Sequence, residues 1–120
     1  MLCCFGPKSA LQVFIDDADN LMKKQEYTPA IEKYKECLTM LDWENPETTL
    51  PHDKVEKYVI PALVGIAQCH TELKQYHKTL DVCKQILTLR PNHKKAVSLQ
   101  GMARVQVGDF KGAMKSMPKN

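Results

Sequence analysis

Apolar residues recur at spacings of three and four from the first turn of a predicted helix: Leu11, Phe14, Ile15, Ala18, Leu21 and Met22 mark one face. Ser9 stands where it could cap that helix. After the polar break Lys23-Lys24-Gln25, a second stripe runs through Tyr27, Ala30, Ile31, Tyr34, Cys37, Leu38 and Leu41, so the two segments read as antiparallel helices. Asn45-Pro46 and Leu50-Pro51 then predict a loop from Asp42 to Asp53, since proline disfavours helix at the residue before it. Asp53 is the expected cap of a third helix, Val55 to Leu73, with a kink expected at Pro61 in preference to a separate short turn ending near Val59. Tyr76, Leu80, Cys83, Ile86, Leu87 and Leu89 form the next stripe, which Pro91 ends. Ala96, Val97, Leu99, Gln100, Ala103 and Val107 form another, closed by Gly108. Phe110, Ala113, Met114 and Met117 begin a short sixth helix.

The pattern repeats. Tyr76-x-x-Thr79-Leu80 aligns with Phe110-x-x-Ala113-Met114, and Ala67 with Gly101, at a shift of 34 residues. With Ala30 at the small position of the second helix, the repeats fall at about 11-44, 60-93 and an incomplete 94-117, with an insertion at about 45-59 and a leader at 1-8. Ala18, Ala30, Ala67, Thr79, Gly101 and Ala113 would let paired helices approach closely, and Leu21, Tyr27, Tyr34, Leu63, Tyr76, Val97 and Phe110 would fill the space around them. Those stripes therefore read as core.

That period is the tetratricopeptide period, and the segment from about Ser9 to Met117 resembles the tetratricopeptide (TPR) domain of large immunophilins and of the aryl-hydrocarbon-receptor-interacting protein. The runs Val59-Ile60-Pro61-Ala62-Leu63 and Gln68-Cys69-His70, then Tyr76, Leu80-Asp81, Cys83 and Ile86-Leu87, carry the second likeness. The resemblance implies an all-α fold: three helix-turn-helix repeats in a short right-handed superhelix, acting as a non-catalytic protein-protein interaction adaptor or co-chaperone-like module. No residues resemble a peptidyl-prolyl isomerase domain.

Many co-chaperones of this kind hold an acidic chaperone tail with a clamp of Lys, Asn, Asn, Lys and Arg. The matching positions here are Ile15, Asp19, Gly65, Lys95 and Leu99, so only Lys95 has the required type. Asp19 would repel a carboxylate, and Ile15 and Leu99 donate no hydrogen bonds. The expected partner groove is instead Ile15, Asp19, Met22, Val64, Gln68, Lys95, Leu99 and Met102, with Val105 beside it, and the expected ligand is a mainly apolar peptide or helix segment. Docking of a chaperone C-terminal tail is the alternative.

Composition narrows the chemistry. The 120 residues are 43% apolar and 26% charged, with a formal net charge of +3, which suits one folded domain and gives no basic field for nucleic acid. No stretch approaches the ~20 apolar residues of a membrane span, and the start lacks the pattern of a secretory signal, so the chain reads as cytoplasmic. The odd set of five cysteines fits a reducing compartment. Cys3 and Cys4, outside the repeats, are candidates for S-palmitoylation and membrane tethering; the competing reading is an unmodified leader. Cys69, His70, His77 and Cys83 lack the spacing of a zinc site, and no phosphate loop or Gly-x-Ser-x-Gly turn occurs, so no cofactor, metal or enzyme activity is expected. With no capping helix, Leu99, Ala103, Phe110, Ala113, Met114 and Met117 are expected to form an apolar patch that a homodimer or partner covers.

Overall fold

The computed structural model describes residues 10–108. Five long or moderate helices follow one another: α1 (Ala10–Lys23), α2 (Tyr27–Met40), α4 (Ile60–Glu72), α5 (Tyr76–Leu89) and α6 (Lys94–Gln106). A short turn α3 (His52–Lys54) and a π-helical turn (Val55–Val59) run directly into α4. There is no strand among the described residues. Ser9 and the predicted sixth helix, with Phe110, Ala113, Met114 and Met117, lie outside the described residues.

Helix α1 packs on α2 and α4 on α5; α2 and α4 join the two pairs, and α6 packs on α5. Close approach is possible because the small positions face inward: Ala18, Ala30, Ala67 and Thr79 are fully buried and Gly101 is buried. Tyr34, Leu63, Cys69, Cys83 and Ile86 fill the core around them.

The turns that follow α1, α4 and α6 are built alike. Gln25, Lys74 and Gly108 have φ of 63°, 61° and 85°, and Lys74 and Gly108 are one 34-residue period apart. At the first two turns the following N–H reaches back to the helix it has left, Glu26 to the Leu21 carbonyl and Gln75 to the His70 carbonyl, both at 2.8 Å. This satisfies carbonyls that a helix end leaves without partners. Left-handed backbone is unfavourable for a residue with a Cβ, and only the third turn relieves it with glycine.

The insertion is ordered by short side chains. Asp42, at φ 54°, ends α2, and its carboxylate accepts from Asn45 Nδ2 at 2.8 Å and Thr48 Oγ1 at 2.7 Å. These two bonds hold the Asp42 carboxyl below its usual range. One expectation is corrected here and another is given its form. The helix begins at His52, with Pro51 as the residue before it, so Asp53 lies in the first turn and is not the cap. At Pro61 the helix neither breaks nor needs a separate turn: Val59 and Ile60 keep helical backbone, and Ile60 N–H bonds the Val55 carbonyl five residues back. A proline ring collides with the carbonyl four residues before it, and the wider π turn makes room. Arg90, just past α5, pairs with Glu56 and approaches His52 Nδ1 at 3.4 Å, which ties this extension to the end of α5.

Candidate functional site

The expected groove residues separate into two groups. Met22, Val64 and Gln68 are half-buried, while Asp19, Lys95 and Met102 are exposed, Met102 at 47%. Ile15 and Leu99 are only 6% exposed and belong to the core cluster, so their side chains are not surface available to a partner. Leu99 turns inward because it shares a face with Ala96 and Ala103, both fully buried. The same burial removes Leu99 and Ala103 from the expected apolar patch; its other members, and Cys3 and Cys4, lie outside the described residues.

One side chain that sequence reasoning assigned only to packing organises the middle of the groove. Tyr34, 2% exposed, crosses from α2 so that its ring lies against Gly65 of α4, where an added Cβ would fall within the ring atoms. Its hydroxyl donates a hydrogen bond to the Asp19 carboxylate on α1 and sits 3.2 Å from Met22 Sδ. Burial, reinforced by the bond to Asp19 and its charge, pushes the Tyr34 hydroxyl pKa up, so it remains a donor at any ordinary pH. Three helices therefore meet at one phenol ring. The signal was present in the sequence as a glycine facing an aromatic, but the alignment alone did not say which neighbour filled the space.

The arrangement has a chemical consequence. Asp19 spends acceptor capacity on Tyr34, Gly65 contributes no side chain, and the remainder is the half-buried Met22, Val64 and Gln68 with the exposed Met102 and Lys95. Adaptable apolar contact with a few polar fixing points is what such a surface offers.

The thiols are placed for packing. Cys37, Cys69 and Cys83 are fully buried, and burial pushes each up to about 11, with the charge of Glu72 adding to the effect at Cys69. A thiol with so little thiolate at neutral pH is a poor nucleophile. His70 is also buried; His77 is exposed. No group of three or more His, Cys, Asp or Glu that could hold a metal occurs among the described residues, and no helix there is long and apolar enough to cross a membrane.

A cavity of about 510 Å³ lies between α2 and α5, floored by Leu63, Ile66 and His70 of α4 and bordered by Trp43. None of the eight expected groove residues lines it. Sequence reading did not find it, since its walls are stripes that read as ordinary core.

Comparison with known proteins agrees with the fold. No protein-family profile matches the chain. FK506-binding protein 59 of Drosophila melanogaster is 24% identical over 108 residues, 90% of this chain and 24% of the relative. Human peptidyl-prolyl cis-trans isomerase FKBP4 is 25% identical over 97 residues, 81% of this chain and 21% of the relative. The chain thus spans about a quarter or less of the length of these relatives. Among solved structures, the C-terminal TPR-containing domain of a Plasmodium falciparum FK506-binding protein superposes with a TM-score of 0.80 at 25% identity, covering 89% of this chain and 72% of that one. The Sgt2 TPR domain from Aspergillus fumigatus does so with a TM-score of 0.70 at 20% identity, covering 97% and 67%.

Proposed function

Since the chain is a tetratricopeptide repeat domain resembling those of FK506-binding immunophilins, we propose that it is a non-catalytic protein-interaction adaptor whose inner face takes a mainly apolar peptide or amphipathic helix. The repeats we assign are 11-44, 60-93 and 94-117, a division supported by the recurring left-handed residues at 25, 74 and 108. The isomerase activity in the name of FKBP4 forms no part of the proposal, because the matched stretch is a small share of that protein.

The observation that carries the reading is the closed unit of Tyr34, Gly65 and Asp19. Where an anionic tail would need several donors converging on its carboxylates, this face presents a carboxylate already engaged by a tyrosine and a residue with no side chain. What remains open is led by Met22, Val64 and Met102. Apolar anchors at helical spacing on a partner would find matching contact there.

Calorimetric titration with two peptides tests this: an amphipathic helical peptide with an apolar face, and an acidic peptide with a free C-terminal carboxylate. The helical peptide is expected to bind, and Met102→Asp to weaken it at least about tenfold, since a buried charge without a partner is costly. Micromolar binding of the acidic peptide that Lys95→Ala abolishes, with no binding of the helical one, would overturn the proposal in favour of tail docking.

A further inference from the structure

We propose that the cavity between α2 and α5 is a second binding site, one that takes a small, neutral, largely apolar molecule bearing a single hydroxyl or N–H, with His70 Nε2 as its acceptor. The volume, about 510 Å³, falls in the range of small-molecule pockets. Its floor is Leu63 and Ile66, and Leu38, Val82 and Trp43 give it apolar walls.

His70 is the polar group set into that floor, and it is 6% exposed. Its Nδ1 lies 2.8 Å from Gln75 Oε1. An amide oxygen only accepts, so Nδ1 carries the proton and the neutral ring presents its lone pair at Nε2. Nε2 has no hydrogen-bond partner among the described residues. Yet no sealed side-chain nitrogen or oxygen lacks a partner there, so Nε2 is not sealed off, and the ring itself lines the cavity. Burial is the main reason the imidazole pKa is lowered; the Gln75 bond opposes it and the charges of Lys78 and Lys35 act with it, so the neutral ring is favoured.

A buried acceptor in an apolar floor, beneath a rim of polar residues, favours a ligand that brings one donor to that floor and otherwise fills space. The mouth argues for neutrality: Lys35 and Lys78 stand among Asp42, Glu44 and Asp81, which gives no single sign to hold an ion. The site is also distinct from the partner groove. On α4, Leu63, Ile66 and His70 point away from Val64 and Gln68, at 3.6 residues per turn, so both surfaces can be occupied at once.

Trp43 is the chain's single tryptophan and borders the cavity, so its emission reports occupancy. The 120-residue chain would be titrated with 4-propylphenol and with 4-propylanisole, which has nearly the same shape but no donor. The phenol is expected to produce a saturable change in Trp43 emission and to bind roughly five- to tenfold more tightly than the anisole. His70→Phe is expected to erase that difference. If His70→Phe does not fold, as judged by circular dichroism, the wild-type His70 Nε2 resonance serves instead, shifting with the phenol and not with the anisole. No saturable response, equal affinity for the two probes, discrimination that survives His70→Phe, or an unmoved Nε2 resonance would overturn the proposal.

Discussion

The two helix pairs solve one packing problem with opposite volumes. In the first pair the second helix contributes Tyr34, and the next helix yields to it with Gly65. In the second pair the equivalent residues are Cys83 and Leu99, both buried, so the small side chain comes first and the large one follows. Polar atoms are handled differently too. The first pair directs its hydroxyl to the exposed Asp19 carboxylate on α1. The second keeps polar groups inside, with Thr71 and Thr79 hydroxyls 3.1 Å apart and His70 bonded to Gln75. A repeat thus specifies a total volume across an interface, while the distribution of that volume is free to differ.

Mutating both halves of the comparison to the same residue would break it most visibly. Leu99→Ala should destabilise the protein by about 3 kcal/mol through the cavity it leaves. Gly65→Ala should cost about 2 kcal/mol for the opposite reason, an added Cβ forced into the Tyr34 ring. Urea unfolding would measure both. Combining Gly65→Ala with Tyr34→Leu should give a loss smaller than the sum of the two single losses; strict additivity would mean that the ring and the glycine are not coupled.

Tyr34→Phe isolates the hydroxyl from the ring and should cost about 1 kcal/mol. Smaller again is the pH response of the second pair. The folded-state pKa of His70 lies below the ordinary histidine value of 6.5, so the unfolded chain binds the proton more readily. The stability conferred by the neutral ring is complete above about 6.5 and declines as pH falls below it. Melting temperatures of wild type and His70→Phe between pH 8 and pH 5 should converge toward acid. Least of all in energy, Thr48→Ala should let the exposed Asp42 carboxyl rise toward its ordinary range, an effect to be read by NMR titration.

The thiols give a qualitative check common to both pairs. Cys37, Cys69 and Cys83 should resist a disulfide reagent at neutral pH in the native state and react promptly in denaturant. Rapid native labelling of any of them would contradict its placement in the core.

Much of the fold was legible because helical stripes and small positions carry a period that burial enforces: Ala18, Ala30, Ala67 and Thr79 could be located by spacing alone. The site was less so. Ile15 and Leu99 were assigned to the groove by analogy of position, although each also belonged to an inward stripe, and a side chain cannot face both ways. Burial settled them inside. Pro61 announced a disturbance without its form, because the remedy lies one turn earlier, in the bonding of Ile60 to Val55. His70 entered the sequence reading only in a family motif and as a rejected zinc ligand; the three-dimensional meeting of α2, α4 and α5 sets it in the floor of a cavity.

The exchange of volumes between Tyr34–Gly65 and its counterpart also fixes the order in which the repeats can be strung together. A chain engineered with the second repeat duplicated would set a cysteine beside a glycine and leave a void about the size of a phenol ring. Deleting that repeat would drive Tyr34 into the leucine that follows. The repeats are alike in backbone but not commutative: recombination at their boundaries is constrained by the junctions, and a viable rearrangement must carry each second helix together with the first helix of the repeat after it.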